Sequence, residues 1–161
     1  MARVSTQRIG RPLRAYVDTS VFGGVHDDEF RAVSEQFFAM ARAGAITLLV
    51  SAATADEIAG APSAVQEVFG DHAPYMELLE NTPEMVRLAE AYLAARVVRR
   101  IARVDALHVA TASVARADVL VSWNFHDIVQ LRRIRGFHAV NVANGYPLIE
   151  IRSPIEVIYE A

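Results

Sequence analysis

The stretch ITLLV at residues 46–50 restricts the folds open to this chain more than any other. It has strand length, carries no charge and does not alternate apolar with polar residues. A strand with one wet face alternates; a run that is apolar throughout belongs in a sheet covered on both faces. Such sheets are parallel, because the crossovers joining parallel strands lay helices over them. The neighbouring segments agree. Residues 13–17 form a short buried strand ending at Asp18, and residues 119–121 form another. Between and around them the spacing is helical. Residues 29–42 place Phe30, Val33, Phe37, Phe38 and Met40 near one face, with Gly44 as the cap. Ser51 is placed to cap a helix carrying Asp56 and Glu57. Gly60, Pro62 and Ser63 interrupt the chain before a helix over 64–69. Pro83 suits the first turn of a helix continuing over 84–95, and residues 104–115 form a further helix.

Other segments are less regular. DTSVFGG, from Asp18, reads as a turn. Residues 71–83 are ambiguous, with a strand or helical turn near 76–79, and residues 96–102 are loop or helix. Residues 125–134 read as a short helix, and 137–142 and 147–151 as late strands, with Gly145 and Pro147 in the turn between. Strands alternating with helices predict an α/β domain with a mostly parallel sheet. The expected organisation is a flexible basic leader over 1–13 and a single domain over 14–161.

With 161 residues, 53% of them hydrophobic and 22% charged, the chain can bury a sizeable core. Its apolar runs are too short and interrupted for a membrane span, and the basic N-terminus is not followed by a signal-peptide core. With no cysteine there is neither a disulfide frame nor a thiolate metal site, and a cytoplasmic location is the default expectation. The net charge of −3 does not suggest a nucleic-acid binder, but its distribution does. Residues 96–135 carry eight arginines against Asp105, Asp118 and Asp127. There is no lysine, so every cationic side chain is a guanidinium able to grip phosphate in a bidentate way. The same cluster also fits a merely solvated basic helix.

The acids fall in a pattern. In open parallel α/β sheets, ligands bind beyond the carboxyl ends of the strands. Asp18 ends the first strand, and Glu57 lies in the helix after the second. Asp105 opens a helix, and Asn124 and Asp127 follow the 119–121 strand. Each has a plainer reading, as a turn residue, a cap or a solvated helix position. Together they deliver oxygen ligands from four parts of the chain to one end of one sheet. Gathered carboxylates repel and call for a cation or shared protons. Oxygen donors without cysteine suit Mg²⁺ or Mn²⁺, which activates water and clamps a phosphoryl oxygen. His108 lies one turn after Asp105 and reads more readily as a satisfied histidine than as a ligand; Trp123 reads as core.

The DTS at Asp18, Glu57 after a buried strand, DALHVATA from Asp105 and LVSWNFHDI from Leu120 together resemble the motifs of the PIN domain, and more narrowly of VapC-type toxins. The closing GYPLIEIRSPIEVI resembles the end of one PIN subgroup. The resemblance covers nearly the whole chain from Arg14 to Tyr159. It implies a three-layer α/β/α sandwich around about five strands. It also implies Mg²⁺- or Mn²⁺-dependent endoribonuclease activity, a homodimer, and a small antitoxin partner that reaches into the acidic pocket. By position, Asp18, Glu57 and Asp105 match the acidic metal ligands. At the last motif some members have an acid where Asn124 stands, and others have Asn there with Asp three residues on, as Asp127 is. Asp18, Glu57, Asp105 and Asp127 are thus the expected catalytic acids, with Asn124 as a further ligand. Ser20, His108, Arg99, Arg100 and Arg103 are candidates for holding RNA, and Arg96 extends that cluster.

A competing reading is a PIN-like module that binds RNA or a protein without cutting, and the neutral Asn124 keeps it open. A phosphoacceptor signalling domain normally needs a lysine. A phosphatase with an aspartyl nucleophile would want an acid where Ser20 stands. Nucleotide-binding loops of the types G-x-x-x-x-G-K and G-x-G-x-x-G are absent.

Overall fold

The computed structural model describes residues 10–160. Most of the expected basic leader therefore lies outside the described residues. Leu13 is already in the sheet, opposite Ile46.

Five strands, β1 (Leu13–Val17), β2 (Ile46–Ser51), β3 (Met76–Leu79), β4 (Val119–Val121) and β5 (Ile151–Arg152), form one sheet. Every pairing is parallel, in the order β3-β2-β1-β4-β5. Among the described residues eight α-helices accompany them: α1 (Thr19–Gly24), α2 (Arg31–Arg42), α3 (Ala52–Ala59), α4 (Ser63–Asp71), α5 (Pro83–Ala94), α6 (Arg103–Val114), α7 (Leu131–Ala143) and α8 (Pro154–Glu160).

Strand periodicity divides the core in two. Ala15, Val17, Leu48, Val50, Val119 and Val121 face one side, where Phe22, Phe37, Phe38, Ile58 and Val157 cover them. Tyr16, Leu49, Leu120 and Ile151 face the other, against Leu88, Tyr92, Ala106, Val109 and Phe137. Both faces of the sheet are apolar, so both need a helical layer, and the result is a three-layer α/β/α sandwich. This is the architecture expected from the sequence.

Several local expectations are corrected. DTSVFGG is not a turn: Asp18 is extended and the six residues after it form α1. Residues 125–130 are turns, and the helix expected over 125–134 begins only at Leu131. Residues 137–142 are helical, inside α7, and not a strand. Their inward repeat is Phe137 and Asn141, four residues apart, while Val142 is 65% exposed. The Asn141 amide is what makes a polar residue acceptable there: it bonds Ser113 Oγ and the Pro147 carbonyl at 3.0 Å each, and accepts from the Tyr92 hydroxyl. Of the late strand over 147–151, only Ile151 pairs, with Arg152 after it.

Four helices close with the same paired backbone bonds, the Schellman arrangement. In α2 they run from Gly44 to Ala41 and from Ala45 to Met40; in α7, from Gly145 to Val142 and from Tyr146 to Asn141. In α5 they run from Arg96 to Leu93 and from Val97 to Tyr92; in α6, from Arg116 to Ser113 and from Ala117 to Ala112. The residue after the cap is left-handed in each, with φ of 81° at Gly44 and Gly145, 56° at Arg96 and 55° at Arg116.

Candidate active site

The strand order reverses direction between β1 and β4: β2 and β3 lie to one side of β1, and β4 and β5 to the other. At such a switch point the two flanking crossovers diverge and leave a crevice beyond the strand ends. Asp18 lies there. Its backbone N–H continues the β1–β4 ladder by donating to the Val121 carbonyl at 3.0 Å, so the side chain leaves the sheet at its carboxyl edge. Asp18 Oδ2 accepts from the hydroxyls of Ser20 at 2.7 Å and Ser122 at 2.8 Å. Both serines are held in turn, since Ser20 Oγ accepts the Trp123 N–H and Ser122 Oγ the Asn124 N–H. Trp123 itself is buried, stacked on Phe30 with ring centroids 4.1 Å apart.

Glu57 arrives from α3. Thr54 helps start that helix, its hydroxyl accepting the Ser51 N–H at 3.2 Å. One turn later Glu57 Oε1 accepts from Thr19 Oγ1 at 2.9 Å and meets His108 Nε2 at 2.5 Å. His108 is fully buried, with Nδ1 2.6 Å from Tyr16 Oη, which also reaches Ser51 Oγ at 2.9 Å. Burial disfavours the imidazolium, but the Tyr16 oxygen, the Glu57 hydrogen bond and Asp18, 3.9 Å away, outweigh it and raise the ring to about 10. In its protonated form the ring donates from both nitrogens, to Tyr16 Oη and Glu57 Oε1. Burial likewise pushes Glu57 up, yet the His108 hydrogen bond and charge, with the Thr19 hydroxyl, hold it below the ordinary range.

Asp105, in the first turn of α6, behaves in the opposite way. Burial, then the charge of Asp18, lift it from 3.8 to about 6; Asp127 and Glu57 add to this and His108 opposes it. These acids thus share one field, and the internal cation His108 does not fully offset it. Asn124 donates its Nδ2 to Asp105 Oδ2 at 3.4 Å, while its Oδ1 accepts the backbone N–H groups of His126 and Asp127. Asp127 turns to Arg99, whose Nη2 lies 3.1 Å from Oδ2, and to His126 Nδ1 at 3.0 Å from Oδ1. Burial raises it, and those two partners more than reverse the effect, leaving its carboxyl below the usual range.

The sequence-predicted residues therefore divide. Asp18, Glu57 and Asp105 gather around His108, with Asn124 beside Asp105. Ser20 points its hydroxyl at Asp18, and His108 is enclosed among side chains. Asp127 belongs to an ion pair with Arg99, Arg100 is exposed, and Arg103 pairs with Glu90. Tyr16, Thr19 and Ser122 also belong to the site; Thr19 and Ser122 lie inside the DTS and LVSWNFHDI motifs without having been named as site residues, and Tyr16 lies outside them. The signal for Ser122 was a hydroxyl directly after an apolar strand. For Tyr16 it was a phenol inside a core strand, which needs a polar partner.

Among the described residues no three Asp, Glu or His side chains stand close enough to ligate one ion in this conformation. The chemistry of the donors nevertheless fits a hard divalent cation. They are oxygens, and the charge of Asp18 adds to burial in lifting Asp105 above its ordinary value. Asp18 and Asp105 would hold such an ion, with Glu57 and Asn124 next to them.

No helix among the described residues is long and apolar enough to cross a membrane. No protein-family model matches the sequence, and no curated protein matches it. Among solved structures, a chain of VapBC2 from Rickettsia felis, bound to a DNA fragment from their promoter, superposes with a TM-score of 0.54. The identity is 10%, and the match covers 88% of this chain and 98% of that one. At that identity the likeness is one of fold: the three-layer sandwich is shared with a VapBC2 chain.

Proposed function

We propose that the chain is a Mg²⁺- or Mn²⁺-dependent endoribonuclease that hydrolyses RNA phosphodiester bonds, acting as the toxin of a toxin–antitoxin pair. The observation that carries this is Asp18 at the carboxyl end of β1, fixed by Ser20 and Ser122 at the β1–β4 switch point, with Asp105 lifted to about 6 by burial and by the charge of Asp18. The fold shared with a chain of VapBC2 supports the toxin–antitoxin setting, with a small antitoxin as partner. A homodimer is part of the same reading.

The chain's own residues have definable tasks. Ser20 and Ser122 fix Asp18 by two charge-assisted hydrogen bonds and leave Oδ1 for other partners. Tyr16 and Ser51 lock the His108 ring, which holds Glu57 ionised at the rim of the crevice. Asp105, raised by burial and by the charge of Asp18, is the carboxyl that a bound cation would relieve most. A bound divalent ion would lower the pKa of a water and polarise a phosphoryl oxygen. Incubating RNA with purified protein and Mn²⁺ tests the proposal. Cleavage is expected, abolished by EDTA and by Asp18→Asn; cleavage indifferent to both refutes it.

A second reading, a module that binds RNA or a protein without cutting, is favoured by one observation. The Asn124 amide nitrogen is turned toward Asp105, and among the described residues no three acidic or histidine side chains converge. RNA bound intact with Mn²⁺ present, even at high protein concentration, would select it.

A further inference from the structure

Beyond α5 the surface opens into a cavity of about 470 Å³ lined by Arg96, Arg99, Arg100 and Arg133, with Leu93 and Val98 among its apolar residues. Among the described residues Arg96, Arg100 and Arg133 have no carboxylate partner. Arg133 is braced instead by donating to the Val97 carbonyl at 2.5 Å. That contact depends on a close approach of α7: a Cβ on Gly136 would stand 2.7 Å from Val97 Cγ1. Arg99 belongs both to this cavity and to the acidic site, through its bond to Asp127.

Arg96 is informative for a second reason. It occupies the left-handed position that closes α5, as glycine does at the ends of α2 and α7. A side chain there costs stability that glycine would not. Arg116 holds the same position at the end of α6 outside the cavity, so the backbone alone does not mark a function; at Arg96 the side chain also places a guanidinium in the cavity.

We infer that this arginine-lined cavity is a phosphate-anchoring subsite for the sugar–phosphate backbone of a single RNA strand running into the acidic crevice. Three uncompensated guanidinium groups match phosphate oxygens, and the apolar residues between them match a ribose face. The subsite rests on the nuclease proposal for what lies beside it, yet its binding does not require metal and can be read separately.

The test measures binding of a fluorescent single-stranded RNA 12-mer to the full chain in EDTA across a salt series. Arg96→Gly and Arg100→Gln are made singly and together, and Arg116→Gly serves as the matched control outside the cavity. The double variant should bind roughly tenfold more weakly, and its log–log salt slope should flatten by about 1.4, or roughly 0.7 per lost contact. Arg96→Gly and Arg116→Gly should each raise the melting temperature, by about 2–4 °C; only the former should lose RNA affinity. Loss of affinity in a better-folded protein cannot be structural damage.

An unchanged affinity and slope in the double variant would overturn the inference. So would a double variant that loses binding to a hexaglutamate peptide while keeping RNA, which would assign the cavity to an acidic protein partner. The nuclease proposal fails on a different result: arginine-dependent RNA binding by wild-type protein that never cuts with Mn²⁺ would leave the subsite standing.

Discussion

Replacing Asp105 by asparagine should stabilise the metal-free protein at pH 8 while removing metal binding. The carboxyl is lifted from 3.8 to about 6 by burial and by the charge of Asp18. Such a group favours the folded state fully below its unfolded value and loses that advantage as pH rises through the folded one. Above pH 6 the ionised form is therefore held at a cost. At about 1.4 kcal/mol per pH unit the rise corresponds to roughly 3 kcal/mol. Asp105 is partly exposed, and solvent screening reduces the figure to about 1–2 kcal/mol. Asparagine keeps a side-chain oxygen for the Asn124 amide and carries no charge. Thermal unfolding in EDTA at pH 8 should show the variant melting about 3–6 °C above wild type. At pH 4 the two should differ far less, because Asp105 is then protonated in the folded chain and already about 40% protonated in the unfolded one. Adding Mn²⁺ at pH 8 should raise the wild-type midpoint and leave the variant unmoved, since only a ligand that binds the folded state shifts it. A variant that melts below wild type at pH 8, or a difference independent of pH between 4 and 8, would refute the claim that like charges crowd this site.

Other perturbations have equally definite outcomes. His108→Gln leaves Glu57 and Asp18 without their buried counter-charge and should cost about 3–5 kcal/mol in urea unfolding. Because His108 is raised to about 10, that cost should hold from about pH 5 to 6.5, fade in acid as the carboxylate of Glu57 takes a proton, and shrink as pH climbs toward 10. Tyr16→Phe removes the hydroxyl facing His108 Nδ1 and Ser51 Oγ and should destabilise by about 1–3 kcal/mol, with the ring's titration moving down in NMR. Asn141→Ala strips the amide joining Tyr92, Ser113 and Pro147; a loss of about 2–4 kcal/mol in urea unfolding is expected.

Apolarity alone made the sheet legible. ITLLV and VLV at 119–121 carry no charge, and the 13–17 run only Arg14 near its start, so they read as central, parallel strands between helical layers. Asp18 was legible for the same reason, because an acid directly after such a strand has to leave the sheet at its carboxyl edge. Where local patterns served two periods, the sequence was silent. FHAVNV at residues 137–142 is a mostly apolar run of strand length, and only the pocket formed by Tyr92, Ser113 and Pro147 makes Asn141 an inward residue and the segment a helix.

The site shows the same division. That Asp18, Glu57, Asp105, Asn124 and Asp127 could meet followed from their positions after strands. Which of them share one field depended on the reversal of strand order between β1 and β4, and no local signal encodes that. Residues 92, 89 and 51 positions apart in the chain, as in Tyr16–His108, Trp123–Ser34 and Glu57–His108, make their hydrogen bonds only after the layers close. Tertiary structure likewise paired Asp127 with Arg99 and enclosed His108. Sequence determined the layers, because burial of apolar area follows from residue type. Tertiary structure decided the partners of each charge, because electrostatic pairing acts through distances that only the closed fold creates.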